Sequence, residues 1–376
     1  MLDWLLSGAH YVLSFALVIS VIVFIHEFGH FYVARLCGVK VETFSIGFGR
    51  ELFGRTDRHG TRWKFALWPL GGFVKMYGDA GAASTPDNAL FNDMTDEQKR
   101  VSFHHKPLWA KALIVAAGPM ANFLLAIMVF TYFIFTVGIT STKPVVGEII
   151  ADSPAQVAGL KEGDRITKVA GKKVATFNDI SNSIVTNLGT PLDLEVKRDG
   201  EVFTLTLTPK PFEEKDVLGN PVTRYIIGLR SQKLTYEDVG LVRAVGAAIE
   251  KTYDMCVTSL KMMGQMIRGD RSVNELKGPL GIAKLSGEVT QQGETFGETF
   301  RLFLWFVALL SVNLGMVNLF PIPMLDGGHL AFYTVEALRG RPLAEKFQEY
   351  SFRFGFVLIA GLMALTLFND VRQLFS

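Results

Sequence analysis

What most constrains the folding of this chain is where charge is missing. Between Lys111 and Lys143 there is no Asp, Glu, Lys or Arg, and between Asp3 and Arg35 the only one is Glu27. Each run exceeds the roughly 20 apolar residues a helix needs to cross a hydrocarbon core. A third uncharged stretch runs from Leu302 to Leu325, and a shorter fourth from Phe354 to Asn369 can span if its flanking aromatic residues sit at the interface. Composition agrees, with 49% hydrophobic residues, 30 phenylalanines among 376 residues and a mean hydropathy of +0.27. A net charge of +2 on so apolar a chain argues against disorder and against a nucleic-acid partner. The two cysteines, Cys37 and Cys256, are too few for a disulfide scaffold or an all-cysteine zinc site, so any metal must rely on His and carboxylate. The first run has no basic residues ahead of it and no small-residue cleavage site behind it, so it is expected to stay attached rather than act as a removable signal peptide.

These runs predict a polytopic α-helical membrane protein with about four transmembrane helices, at residues 1–34, 112–142, 301–325 and 351–369. The 35–111 segment is richer in Lys and Arg than in Asp and Glu, and Arg339, Arg341, Lys346 and Arg353 follow the third run. Both are expected on the cytoplasmic side, because short cytoplasmic loops collect basic residues. The 143–300 stretch balances its charges and is expected to be extracytoplasmic, together with both termini. Within it, 143–232 alternates short apolar strands with turns, and Arg198-Asp199-Gly200 is a hairpin signal. The string "SPAQVAGLKEGD" looks like part of a PDZ domain, so an inserted β-rich PDZ-like domain is expected, with an extended peptide as a possible ligand added at a sheet edge. Residues 233–300, with Met and Leu on one side of "SLKMMGQMI", read as connecting amphipathic helices. Residues 40–77 hold aromatic, β-leaning runs around the turn "RTDRHG" and predict a membrane-associated β-hairpin or sheet, whose edge can pair with an added extended strand.

The chemistry starts at "HEFGH", residues 26–30, inside the first run. On a helix His26 and His30 share a face, so two imidazoles can hold one Zn2+ while Glu27 lies beside the metal as a base. Polar groups placed within an apolar span are costly, which makes a functional reading stronger than a snorkelling cluster at the interface ahead of Arg35. A catalytic zinc needs a third protein ligand. The metzincin extension is absent, since Val33 and Leu36 stand where a Gly and a His would be required. The third ligand must come from elsewhere, and "NLFPIPMLDGGH" offers Asp326, with helix N-capping as its other reading and His329 as the rival ligand.

Taken together, "HEFGH" in the first span, "GPMANFLLA" in the second, the PDZ-like insertion and "NLFPIPMLDGG" after the third resemble the site-2 protease family of intramembrane zinc metalloproteases. "PLGGFVKMYG" and "GPLGIAKLSG" are similar to its bacterial regulator-of-sigma-E branch. The resemblance implies Zn2+ held by His26, His30 and Asp326, with Glu27 as catalytic base and Asn318 as a substrate-binding residue on the substrate main chain. It leaves His329 as a structural neighbour. Asn122 is expected to hydrogen-bond between helices. The better-known members of that branch carry two tandem PDZ domains, whereas this chain has one clear copy.

The implied function is zinc-dependent hydrolysis of peptide bonds in the transmembrane segments of single-pass membrane proteins, such as anti-sigma factors or remnant signal peptides, at the bacterial inner membrane. The alternative is a membrane-anchored zincin acting on soluble or misfolded proteins. The remaining histidines, His10, His59, His104 and His105, are expected to be surface-loop residues.

Overall fold

The structure, a computed structural model, describes residues 2–81, 94–141, 143–187, 189–215, 221–231 and 235–374. Among the described residues, four helices are long and apolar enough to cross a membrane: Gly8–Leu36, Leu108–Val137, Phe296–Asn318 and Lys346–Arg372. They are called spans 1 to 4 below. The chain divides into two compact units, Met1–Val129 with Lys277–Ser376, and Phe130–Leu276.

Span 1 and span 3 meet in the first unit through Val18, Ile22, Phe306 and Val307, all buried. Span 3 begins earlier than the expected 301–325, because Thr295 caps its N-terminus by accepting from the Glu298 N–H. It also ends earlier, at Asn318, since Pro321 and Pro323 cannot continue a helix. Helix Asp326–Arg339 follows and stops at Gly340, whose φ of 67° is the left-handed value a C-terminal glycine supplies. Helix Pro279–Gln291 was expected to be a connecting element, yet it joins this unit through side chains from two spans. His10 and Ser14 of span 1 bond to Thr290, and Asp370 of span 4 accepts the N–H groups of Gly278 and Gly281 at 3.0 and 2.9 Å. The Asp370 carboxylate thereby satisfies two of the amides that every helix start leaves open.

Strands Val41–Thr56 and Arg62–Met76 form the hairpin expected within residues 40–77, but not a simple one. Phe44, Ser45 and Ile46 pair with Val74, Phe73 and Gly72 on one side and with Trp63, Lys64 and Phe65 on the other. Gly54, Arg55 and Thr56 then reach Lys64, Trp63 and Arg62. The ribbon therefore doubles back on itself, which leaves residues 72–76 as one outer strand and residues 54–56 at the other edge. Phe44 and Trp63 stack at 4.4 Å, with Phe31 of span 1 edge-on to both. At the turn, Arg35 reaches Asp57 at 2.6 Å and fastens the ribbon to the end of span 1.

In the second unit the sheet order is Lys172–Lys173, Arg165–Val169, Leu192–Arg198, Glu201–Leu207, all antiparallel. Asp199 and Gly200, at φ 50° and 94°, make the two-residue turn between the last two strands, as the Asp-Gly pair predicts. Ile166, Val169, Leu194 and Val196 are fully buried beneath helix Phe177–Val185, which contributes Ile180 and Ile184. Arg198 grips the buried Asp164 through two bonds of 2.7 Å. The amphipathic pattern before span 3 resolves as helix Leu241–Arg268, tied by Gln265 Nε2, which donates to the Thr186 carbonyl at 2.7 Å.

Candidate metal centre

His26 and His30 face the same side of span 1, one turn apart, as their spacing requires. Their Nε2 atoms lie 3.2 Å from each other. Asp326, the first residue of its helix, brings Oδ2 to 3.2 Å from His26 Nε2 and Oδ1 to 3.5 Å from His30 Nε2. Ligand atoms of all three residues fall within 4.8 Å of one another. Leu325, not Asp326, occupies the cap position of that helix, so the carboxylate is free of the capping role.

Three observations fit this trio to a cation. Among the described residues the buried Asp326 Oδ2 has no hydrogen-bond partner, although it sits beside an imidazole nitrogen. His30 Nδ1 is 2.9 Å from the Ile114 carbonyl, so it donates there and Nε2 presents its lone pair to the cluster. Two imidazole nitrogens and one carboxylate, with room for a water, are the donor set of a catalytic zinc.

Glycines allow the elements to come this close. A Cβ on Gly118 of span 2 would land on His30 Nε2 and 2.9 Å from His26 Cε1. The Gly327–Gly328 pair lies against the Leu319 and Ile322 carbonyls, where Cβ atoms would strike backbone. Thus the glycine of "GPMAN" permits the close approach of span 2 to span 1, and those of "LDGG" pack the start of the Asp326 helix against the turn that follows span 3.

The cluster opens on a cavity of about 210 Å3, whose lining includes Glu27, Gly72, Val74, Asn318, His329 and Tyr333. Glu27 lies beside the ligands and beside the outer strand of the ribbon, whose Gly72 would meet the Glu27 Cγ at 3.3 Å if it carried a Cβ. Asn318 Nδ2 is 3.5 Å from His26 Nε2, at the end of span 3. His329 and Tyr333 follow Asp326 on the same helix face, three and seven positions on; burial pushes the His329 imidazole down and the Tyr333 phenol up. His329 thus lines the cavity rather than merely flanking the motif, and helical spacing from Asp326 is the signal that places it there.

Two sequence readings need correction. His104 is no surface-loop residue: its Nε2 is 2.8 Å from Oδ1 of Asp79, whose side chain is completely buried. His10 points inward to Thr290 and the Gly287 carbonyl. Asn122 does connect helices as expected, but its target is a member of the cluster: Nδ2 lies 3.2 Å from His26 Nδ1, while the Asn122 carbonyl accepts from Ser311 Oγ of span 3. Nothing in the local sequence indicated that pairing.

Against known proteins, the model of peptidase family M50 matches residues 14–362. A protein of Mesorhizobium japonicum with a provisional zinc-metalloprotease name is 41% identical over 365 residues, covering 95% of this chain and 97% of its own. Metalloprotease MmpA of Caulobacter vibrioides is 38% identical over 378 residues, covering 96% and 95%. Among solved structures, the PDZ domain of the SdrC-like protein of Listeria monocytogenes is 22% identical over 25% of this chain and 93% of that one, with a TM-score of 0.19. The family match over most of the chain and the full-length relatives lead to one conclusion: this protein belongs to peptidase family M50 and is a metalloprotease.

Proposed function

We propose that the chain is a zinc-dependent endopeptidase that cleaves the transmembrane segments of single-pass membrane proteins. The observation that carries this reading is the position of the His26, His30 and Asp326 cluster, with Glu27 beside it, on and between helices long enough to span a bilayer. Only 17% of the apolar window of span 1 and 11% of that of span 4 is buried inside the protein, so both present apolar surface that a bilayer would cover.

Zinc held by His26, His30 and Asp326 would supply Lewis acidity toward the scissile carbonyl and toward the attacking water. Glu27 would take that water's proton on its carboxylate and hand it to the leaving amine nitrogen. A helical substrate hides its amides in its own hydrogen bonds, so the cut requires local unwinding. Strand residues 72–74 and 76 line the cavity and have a backbone edge to offer the unwound segment, and Asn318, also in the lining, would orient its main chain. Anti-sigma factors and remnant signal peptides are the substrate class that the family resemblance favours, at the inner membrane of a bacterium. In this reading residues 35–111 and 326–350 are cytoplasmic, and the β-rich unit is a PDZ-like domain on the other side, able to take an extended peptide.

The test uses the purified chain in lipid nanodiscs with a single-pass model substrate. Glu27→Gln should keep its zinc and lose cleavage by about 10²–10⁴-fold, the range for a general base. Wild-type protein without zinc, or full activity in Glu27→Gln, sinks the reading. A tag at Gly200 that is reachable only from the cytoplasm sinks the orientation.

A further inference from the structure

Span 2 meets the two histidines with one face, repeated each turn: Ile114, Gly118 and Asn122, spaced i, i+4, i+8. The Ile114 carbonyl accepts from His30 Nδ1, Gly118 leaves room for both rings, and the Asn122 amide lies 3.2 Å from His26 Nδ1. Span 2 thus touches the outward nitrogen of each histidine. For His30 a carbonyl can only accept, so Nδ1 holds a proton, and in the neutral ring Nε2 then keeps its lone pair.

For His26 the consequence depends on which end of the Asn122 amide faces the ring. With Nδ2 toward the ring, Nδ1 must accept, which places the proton on Nε2, the atom 3.2 Å from both His30 Nε2 and Asp326 Oδ2. A proton there occupies the lone pair a metal needs, and Asn122 Oδ1 is left buried with no partner among the described residues. The two ends of an amide have nearly the same shape and are told apart by their hydrogen bonds. Half a turn about the last torsion puts Oδ1 against Nδ1, gives the orphaned oxygen a donor, and leaves Nε2 bare. Asn122 is itself fully buried and its backbone is held by Ser311, so the amide is placed rather than mobile.

We propose that Asn122 is a positioning residue, which accepts the His26 Nδ1–H through Oδ1 and so fixes His26 in the metal-ligating tautomer. The proposal rests on the zinc reading above and extends it from the ligands to the residue that orients one of them. Outer partners of ligating histidines commonly act in this way.

Zinc affinity is measured on the full chain in nanodiscs by competition with a chelator. Asn122→Leu should bind zinc 10–100-fold more weakly, while Asn122→Asp, which retains an acceptor oxygen, should stay within about 3-fold of wild type. Equal affinity in Asn122→Leu, or an equal loss in both variants, overturns the proposal. A measurement on unsubstituted protein avoids any folding defect: the nitrogen resonances of His26 in zinc-free protein at mildly alkaline pH should show the proton on Nδ1. A proton on Nε2 overturns it. Wild-type protein that fails to bind zinc defeats the zinc reading itself, whereas zinc bound alike by wild type and Asn122→Leu defeats only the role of Asn122.

Discussion

Replacing Gly118 by Ala isolates the contribution of helix spacing to the metal centre. By helix propensity alone the change favours span 2, since Ala is better than Gly in a helix interior by about 1 kcal/mol. The site gives the opposite answer. The added Cβ lands on His30 Nε2 and 2.9 Å from His26 Cε1, whereas ordinary contact begins at 3.4 Å. Both rings sit against span 2, so they must retreat by roughly 1 Å, and a misplacement of that size can cost on the order of 10²-fold in rate. The Asp326 carboxylate cannot follow easily, because Gly327 and Gly328 already lie against backbone carbonyls. The expected result is cleavage reduced about 10²-fold or more, with zinc stoichiometry below one and thermal unfolding little changed. Zinc content by mass spectrometry and cleavage in nanodiscs are measured on the same preparation. Gly118→Ala protein with full zinc and near-wild-type cleavage would refute the packing argument.

Two further predictions address stability. Asp370→Asn turns one acceptor of the Gly278 and Gly281 amides into a donor facing a donor, which should destabilise the first unit by about 1–3 kcal/mol and leave zinc content unchanged; thermal melts with and without zinc check this. Burial alone would raise the Asp164 carboxyl, but the paired Arg198 outweighs it and holds the group below its ordinary value. The stability this contributes is fully present above the unfolded pKa of about 3.9 and drains as pH falls through the lower folded value. Arg198→Leu removes the partner and should move acid unfolding of the β-rich unit to higher pH; an unmoved acid limb in circular dichroism would exclude the linkage.

Much of this protein is readable along the chain because the forces involved act over short sequence distances. Transfer of an apolar helix from water depends on its own composition, so the spans are visible as runs without charge. The i, i+4 relation of His26 and His30 and the i, i+3 relation of Asp326 and His329 follow from helix geometry once each helix is assumed. The Asp199–Gly200 turn is likewise local. Capping is local too, although Thr295 was hidden at the edge of span 3 by the charged residues that follow it.

What the chain alone could not decide are the encounters between its distant parts. His30 meets Ile114 across 84 positions and His26 meets Asn122 across 96, and no propensity or period encodes either contact. From sequence, Asp326 was equally a cap or a ligand; only the packing of its helix onto span 1 brings its oxygens to the imidazoles. The ribbon that doubles back to present residues 72–76 beside Glu27 depends on pairing both sides of one strand, and a two-residue alternation is silent about which neighbours are chosen. His104 became an inward residue because the fold buries Asp79, and a carboxylate removed from water requires a partner. Local sequence therefore determined the helices and the kinds of ligand, while tertiary packing determined which nitrogen and which oxygen of those ligands meet.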